Sequence, residues 1–268
     1  MLKKTALVSL LIFSCLSTAQ VSEALYSSSK NNADANNELE LVVGVEDVAY
    51  FPLFDFFTGS PTFTTELLDE FASQNNYKFI YYPMPVKRFG MWLFEKDIDL
   101  KFPDNSRWNE SEEINKLAKD KLTYSDTVLD LVAGTITVDP SVDDTQDIKV
   151  LGTLLGFFPT LWIEHISNNS VKLYETSSTL MLLQQLVRGQ LDAVNLEPNV
   201  VNHYLRKLNK PKVTINKNFK YEIYSYHLST RQHPRVIAQF NEFLKNNKSF
   251  VEGLKKKYQI LDPEEYIR

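Results

Sequence analysis

The densest chemistry in this chain sits in six consecutive residues. Pro103-Asp104-Asn105-Ser106-Arg107-Trp108 brings together an acid, an amide, a base and an indole. An indole is costly to leave in water, so the segment reads as a cleft lining that uses Asp104, Asn105, Arg107 and Trp108. The alternative is a turn with a solvated arginine. Tyr50 and Phe51 offer rings that stack on a ligand or its cation, at about 0.5–2 kcal/mol, or pack in a core. Tyr50 suits the first role and Phe51 the second. Arg88 can grip a ligand carboxylate as a bidentate fork, or form an ordinary surface ion pair worth at most about 1 kcal/mol. Trp92 and Trp162 read as core. The four histidines, His165, His203, His227 and His233, show no helical metal-pair spacing. There is no G-x-S-x-G, no phosphate loop and no G-x-G-x-x-G, and eight glycines leave little for cradling phosphates. No pair of carboxylates announces a general acid and base. The expectation is therefore a protein without catalytic residues, metal or cofactor.

Composition narrows the class. The chain has 268 residues, 43% apolar and 24% charged, which suits a globular protein of one large domain or two small ones. With 29 basic and 34 acidic residues and no basic block, nucleic acid is excluded as the expected partner. At the N-terminus, Lys3 and Lys4 precede an apolar run over 6–16 and the small residues Ser17-Thr18-Ala19. That is the pattern of a secretory signal, too short to span a bilayer. A second cleavage point follows Ala24. The expected signal peptide is 1–24 and the expected location periplasmic. The single cysteine, Cys15, is either removed with it or lipid-anchored after cleavage before it, although Phe13 is bulky for such a site. Without Cys15, the mature chain has neither a disulfide nor a thiolate. Residues 25–38 are small, polar and aperiodic, and read as a flexible leader.

The elements that must position these residues alternate in type. Leu41-Val42-Val43-Gly44-Val45 is a short apolar run, the mark of a buried strand. Pro52 bars a central strand from continuing through Tyr50-Phe51-Pro52-Leu53. Leu67, Leu68, Phe71 and Ala72 recur at helical spacing and predict a helix over 64–74. Strands are predicted over 79–82, 149–153 and 193–196. A helix is predicted over 179–187, with Ser177 or Ser178 as N-cap and Gly189 past its end. Two further helices are predicted over 236–246 and 250–258. Such alternation predicts an α/β fold with mostly parallel strands. Two long β-rich runs, 128–138 and 221–229, are either connections between two lobes or core strands of one sheet.

Taken in order, these pieces resemble the family 3 periplasmic solute-binding proteins, the amino-acid-binding partners of import transporters. Leu41 to Val45, followed by Tyr50-Phe51-Pro52-Leu53-Phe54, resembles that family's opening strand and aromatic-proline loop. Thr62-Phe63-Thr64-Thr65-Glu66-Leu67 resembles its "GFDVDL" helix start. Pro85-Val86-Lys87-Arg88 and Asp97-Ile98-Asp99-Leu100 resemble its "pw…R" segment and "G-x-x-D" strand. Tyr124-Ser125-Asp126 resembles "FSDPY", and Gly189-Gln190-Leu191-Asp192-Ala193-Val194 resembles "GrvDAv". The likeness runs over about 39–260.

The resemblance implies a two-lobed periplasmic-binding-protein fold. Each lobe would be a mostly parallel sheet flanked by helices, joined by two crossover strands. Lobe 1 would comprise 39–130 and 224–268, and lobe 2 would comprise 131–223. It implies a monomer that captures a small polar molecule, an amino acid or a relative, by hinge closure. The partner would be a membrane permease or sensor. Glu197, five residues after Asp192, takes the place of an acid that binds the ligand's ammonium. Phe157 and Thr160 fall where lobe 2 faces the ligand, and Asp192 reads as structural. The family's T-x-x-R arginine, which holds an α-carboxylate, has no clean counterpart, because Arg107 comes too early. The Gly-rich start of lobe 2 is replaced by Gly156-Phe157-Phe158-Pro159-Thr160. Other roles on this fold are a periplasmic enzyme resembling cyclohexadienyl dehydratase, a sensory partner of a membrane kinase or cyclase, and a binder that has lost its ligand.

Overall fold

In chain order the strands are β1 (Leu39–Glu46), β2 (Tyr77–Met84), β3 (Leu100–Asp104), β4 (Thr123–Tyr124), β5 (Leu129–Ala133), β6 (Thr135–Ile136), β7 (Val150–Leu154), β8 (Lys172–Thr176), β9 (Ala193–Asn195) and β10 (Glu222–Thr230). The helices are α1 (Phe63–Gln74), α2 (Ile163–Ser167), α3 (Thr179–Val187), α4 (Pro198–Lys207), α5 (Pro234–Asn246), α6 (Lys248–Tyr258) and α7 (Glu264–Ile267). The computed structural model describes residues 38–87, 92, 97–108 and 122–267. The expected signal peptide over 1–24, Cys15, Arg88 and the expected leader up to residue 37 lie outside the described residues. By its contacts the chain divides after Leu39, and Glu40–Arg268 form one unit.

That unit is built on two sheets. The first runs β2-β1-β3-β10-β4. Strands β1 and β3 are parallel, with Val43 opposite Leu100, and β10 is antiparallel to β3 and β4. Leu41, Val43 and Val45 of β1 are buried, as a strand covered by helices requires. Helix α1 starts at a reciprocal cap. The Thr62 side chain accepts from the Thr65 amide, and the Thr65 hydroxyl accepts from the Thr62 amide. Its Leu67, Leu68, Phe71 and Ala72 are buried, and Phe71 packs edge-on against Phe240 of α5.

The second sheet runs β6-β9-β7-β8, with β7 parallel to β8 and β9 and with β6 antiparallel to β9. Ser178 caps α3 by accepting from the Met181 amide, and Gly189 follows the helix at φ +68°. Helix α3 lies so close on β7 that a Cβ at Gly152 would come within 2.8 Å of Leu182. Asp192 accepts from the amides of Lys149 and Val150 at 2.8 Å and so ties the start of β7 to β9.

Strands β5 and β10 join the two sheets. They pair antiparallel from Glu222–Ala133 to Tyr226–Leu129, while the far half of β10 belongs to the first sheet. The β-rich run over 128–138 is therefore broken in two. It is β5 in the connecting ribbon up to Ala133 and β6 in the second sheet from Thr135. Gly134 marks the break. A Cβ there would sit 2.8 Å from Ile215, so the crossing needs a residue without one. The observed architecture is two α/β lobes joined by two crossover strands.

Several elements escape the sequence reading, among them the short α2 and α7. Pro103 and Asp104 were expected in a loop, yet they complete β3. The register explains this. The pairing of β1 with β3 ends at Phe102, so Pro103 removes no donor from that ladder. Strand β8 and helix α4 were not predicted. Helix α4 carries Pro198 at its first position, where a missing N–H costs nothing.

Candidate functional site

In open α/β sheets ligands bind beyond the carboxyl ends of the strands. In the first lobe those ends are Glu46 on β1 and Asp104 on β3. In the second lobe the segment after β9 brings Glu197. All three carboxyl groups are buried, and their surroundings differ.

Asp104 is fully enclosed. It pairs with the buried Lys101 ammonium at 2.9 Å, accepts from the Asn105 amide at 2.9 Å, and takes the Ser229 hydroxyl. Burial lowers the Lys101 pKa, and the adjacent Asp104 and Glu46 carboxylates oppose that shift. Glu46 lies beside this pair, buried, and among the described residues its Oε2 has no hydrogen-bond partner. Burial raises its pKa to about 8. Lys101 pulls the value down and Asp104 pushes it up.

Glu197 caps α4. One carboxylate oxygen accepts from the Val200 amide at 3.1 Å and the other from the Asn199 side chain at 2.9 Å. Burial raises its pKa to about 8 despite these bonds. Its backbone amide donates to the Tyr50 hydroxyl at 3.0 Å, which joins the two lobes directly. A second bridge runs from the Thr179 hydroxyl to the Ala49 carbonyl at 3.0 Å. The lobes also touch at Gly156, where a Cβ would lie 3.2 Å from Val86.

Aromatic rings lie near the Glu46 and Glu197 carboxyl groups. Phe157 meets Tyr50 edge-on at 5.2 Å. Tyr224 and Tyr226 of β10 cross at 5.6 Å, and Trp108 meets Tyr226 edge-on at 5.7 Å. Burial raises the pKa values of Tyr50, Tyr224 and Tyr226. The charges of Glu46 and Glu197 add to the rise at both Tyr50 and Tyr224. The tyrosines therefore lie in the field of an acid from each lobe.

The structure brings Tyr50, Trp108, Phe157 and Glu197 toward this centre and ties up the other expected residues elsewhere. Asp104 is committed to Lys101. The Asn105 side chain donates to the Ser225 carbonyl at 2.7 Å and accepts from the Arg107 amide at 2.9 Å. Arg107 is half-exposed, ion-pairs with Glu222, and donates to the Ile223 carbonyl at 3.0 Å. Thr160 is exposed at the start of a short 3-10 turn. Trp92 and Trp162 are buried, and Phe51 is half-buried against His203. Sequence reasoning missed Glu46, Tyr224 and Tyr226. An acid closing an apolar strand, and tyrosines alternating along a crossover strand, are the signals that could have found them. Among the described residues no cluster of His, Cys, Asp and Glu is arranged to hold a metal ion.

Solved structures share this architecture. A mutant of ArgBP from T. maritima superposes with a TM-score of 0.60 at 18% identity, over 87% of this chain and 97% of that one. An ancestral arginine-binding protein bound to arginine gives 0.61 at 18% identity, over 83% and 99%. The ancestral amino-acid-binding protein AncCDT-1, a precursor of cyclohexadienyl dehydratase, gives 0.58 at 20% identity, over 88% and 99%. The chain has the two-lobed periplasmic-binding-protein fold. No family model and no curated protein matches it. None of the described helices is long and apolar enough to cross a membrane.

Proposed function

We propose that this chain is an exported solute-binding protein that captures a small, positively charged polar molecule, an amino acid or a related amine. The lobes, 39–130 with 224–268 and 131–223, close on it by bending at the β5–β10 ribbon, and the closed form docks on a membrane permease or sensor. One observation carries the charge assignment: Glu46 ends β1 buried, with an oxygen that no group among the described residues satisfies. A buried carboxyl whose neighbouring ammonium, Lys101, is already paired with Asp104 holds its proton. An ammonium or guanidinium arriving beside it supplies the missing charge and makes a charge-assisted bond. Glu197 offers a second acid from the opposite lobe, and the faces of Tyr50, Tyr224, Tyr226 and Trp108 suit a cation. Solved neighbours named for arginine binding support the same charge.

The test is a thermal-shift screen of the protein against amino acids, diamines, short peptides, sugars and aromatic acids. A ligand at 100 times its dissociation constant adds about 2.7 kcal/mol. The expected result is a shift with cationic members that falls in Glu46→Gln and Glu197→Gln. A shift only with neutral or anionic members overturns the charge assignment, and no shift with any overturns solute binding.

A second reading is an enzyme on the same fold. Glu197, held protonated near neutral pH, has the form of a general acid, and one neighbour is named as a dehydratase precursor. Turnover of a prephenate-like substrate, lost in Glu197→Gln, would establish it.

A further inference from the structure

Outside the cleft, a cavity of about 360 Å³ opens between α4 and the end of α6. It is lined by Pro52, His203, Arg206, Lys207, Lys257 and Tyr258. Two lobes build it. Helix α4 follows β9 of the second sheet, whereas α6 packs on α1 of the first lobe. Beyond α6 the chain crosses over: Asn199 of α4 accepts from the Leu261 amide at 2.8 Å and from the Tyr266 hydroxyl at 2.7 Å. The cavity therefore sits on a further seam between the lobes, linked to Glu197 through Asn199.

Its charge is unbalanced. Arg206 and Lys207 are exposed in the last turn of α4. Their place at a helix carboxyl end suits the helix dipole, and a third cation converges on them from another helix. Lys257 arrives from α6 and is held by Glu66, which also accepts from the Tyr258 hydroxyl. Glu66 thus offsets Lys257 and leaves Arg206 and Lys207 facing the opening in a chain whose net charge is −5. Lys207 lies 5.5 Å over the ring of Phe51 and 5.3 Å over that of Tyr204, which fixes the direction of its ammonium. His203 stacks on Phe51 at 5.1 Å, and its Nε2 is buried with no hydrogen-bond partner among the described residues.

We infer that this cavity is a binding site for a small oxyanion of two or more charges, a phosphate or a polycarboxylate, held by Arg206 and Lys207 with His203 Nε2 as an inner contact. An oxyanion supplies what each of these groups lacks. It accepts two parallel bonds from the guanidinium, neutralises the ammonium, and gives His203 a partner. His203 currently titrates low, at about 4, because of burial first and then the charges of Lys207 and Arg206. A bound anion reverses the sign of that local field. Because Lys257 and Tyr258 close the cavity from the other lobe, occupation also fastens α4 to α6.

The experiment titrates the protein with inorganic phosphate and, separately, citrate, against sodium chloride at matched ionic strength. Melting temperature is followed together with the NMR titration of the His203 ring. The comparison protein is Arg206→Gln/Lys207→Gln, whose altered residues are exposed and whose fold is checked by its own melting curve. The inference expects a saturable rise of about 2–4 °C at a few times the dissociation constant of at least one oxyanion. It also expects an upward move of the His203 midpoint and loss of both effects in the double variant. A rise no greater than chloride gives, or an equal rise in the double variant, overturns it.

Discussion

Asp104 and Glu197 are buried carboxyl groups at the carboxyl ends of strands, one in each lobe, and their surroundings are opposite. Asp104 has a buried ammonium at 2.9 Å, a backbone amide and a hydroxyl. Glu197 has an amide side chain and one backbone N–H, and among the described residues no basic side chain pairs with it. The first site carries its own counter-charge. The second, like Glu46 beside the Lys101–Asp104 pair, keeps a proton to about pH 8. The difference sets a carboxylate that the fold itself neutralises against two that burial keeps protonated, and under the proposed function the latter are where a cation would bind.

Breaking the scaffold side gives the largest effect. Asp104→Ala strands the Lys101 ammonium in the core, and chemical denaturation should show a loss of about 3–5 kcal/mol. Lys101→Met should cost a similar amount, by stranding Asp104.

The other side answers to pH. An unfolded carboxyl loses its proton near pH 4.3, whereas folded Glu46 and Glu197 hold theirs to about 8. Between those values the folded state binds more protons, so stability falls as pH rises through the window and levels off above it. Each carboxyl contributes a slope of about 1.4 kcal/mol per pH unit. Glu197→Gln should remove one share, which denaturation at pH 5, 6, 7 and 8 would measure. A slope equal to wild type would contradict the assignment.

Smaller effects follow. Tyr50→Phe takes the acceptor from the buried Glu197 amide and should cost about 1–3 kcal/mol, read from the denaturation midpoint. Arg107→Ala breaks a half-exposed pair with Glu222. It should cost at most about 1 kcal/mol and leave solute affinity unchanged in a calorimetric titration, because the structure ties Arg107 to the crossover strand.

Much of this architecture is legible in the chain. The helical spacing of Leu67, Leu68, Phe71 and Ala72, the Ser178 cap and Gly189 each act locally, so the residues alone define those elements. Both crossover strands also announce themselves as long β-rich runs. Pro103 misleads because its tolerance inside β3 depends on where the pairing with β1 stops, which is a property of register. The site divides the same way. Glu197, Tyr50 and Phe157 are recognisable from a motif or a loop. Asp104 and Arg107 have the right chemistry, but partners over a hundred residues away in sequence, Ser229 and Glu222, claim them. Glu46 shows in sequence only as an acid that closes an apolar strand, and its burial beside the Lys101–Asp104 pair appears only in the fold.

The most direct test of the central claim is calorimetric titration of the protein with L-arginine, 1,4-diaminobutane and L-glutamate. Each titration is run near pH 7 in two buffers of different ionisation enthalpy. A cation that pairs with Glu46 and Glu197 must displace their protons. The account predicts saturable binding of at least one cationic solute, with proton release that shrinks in Glu46→Gln and Glu197→Gln. Binding of L-glutamate alone, or cation binding with no proton release, would contradict it.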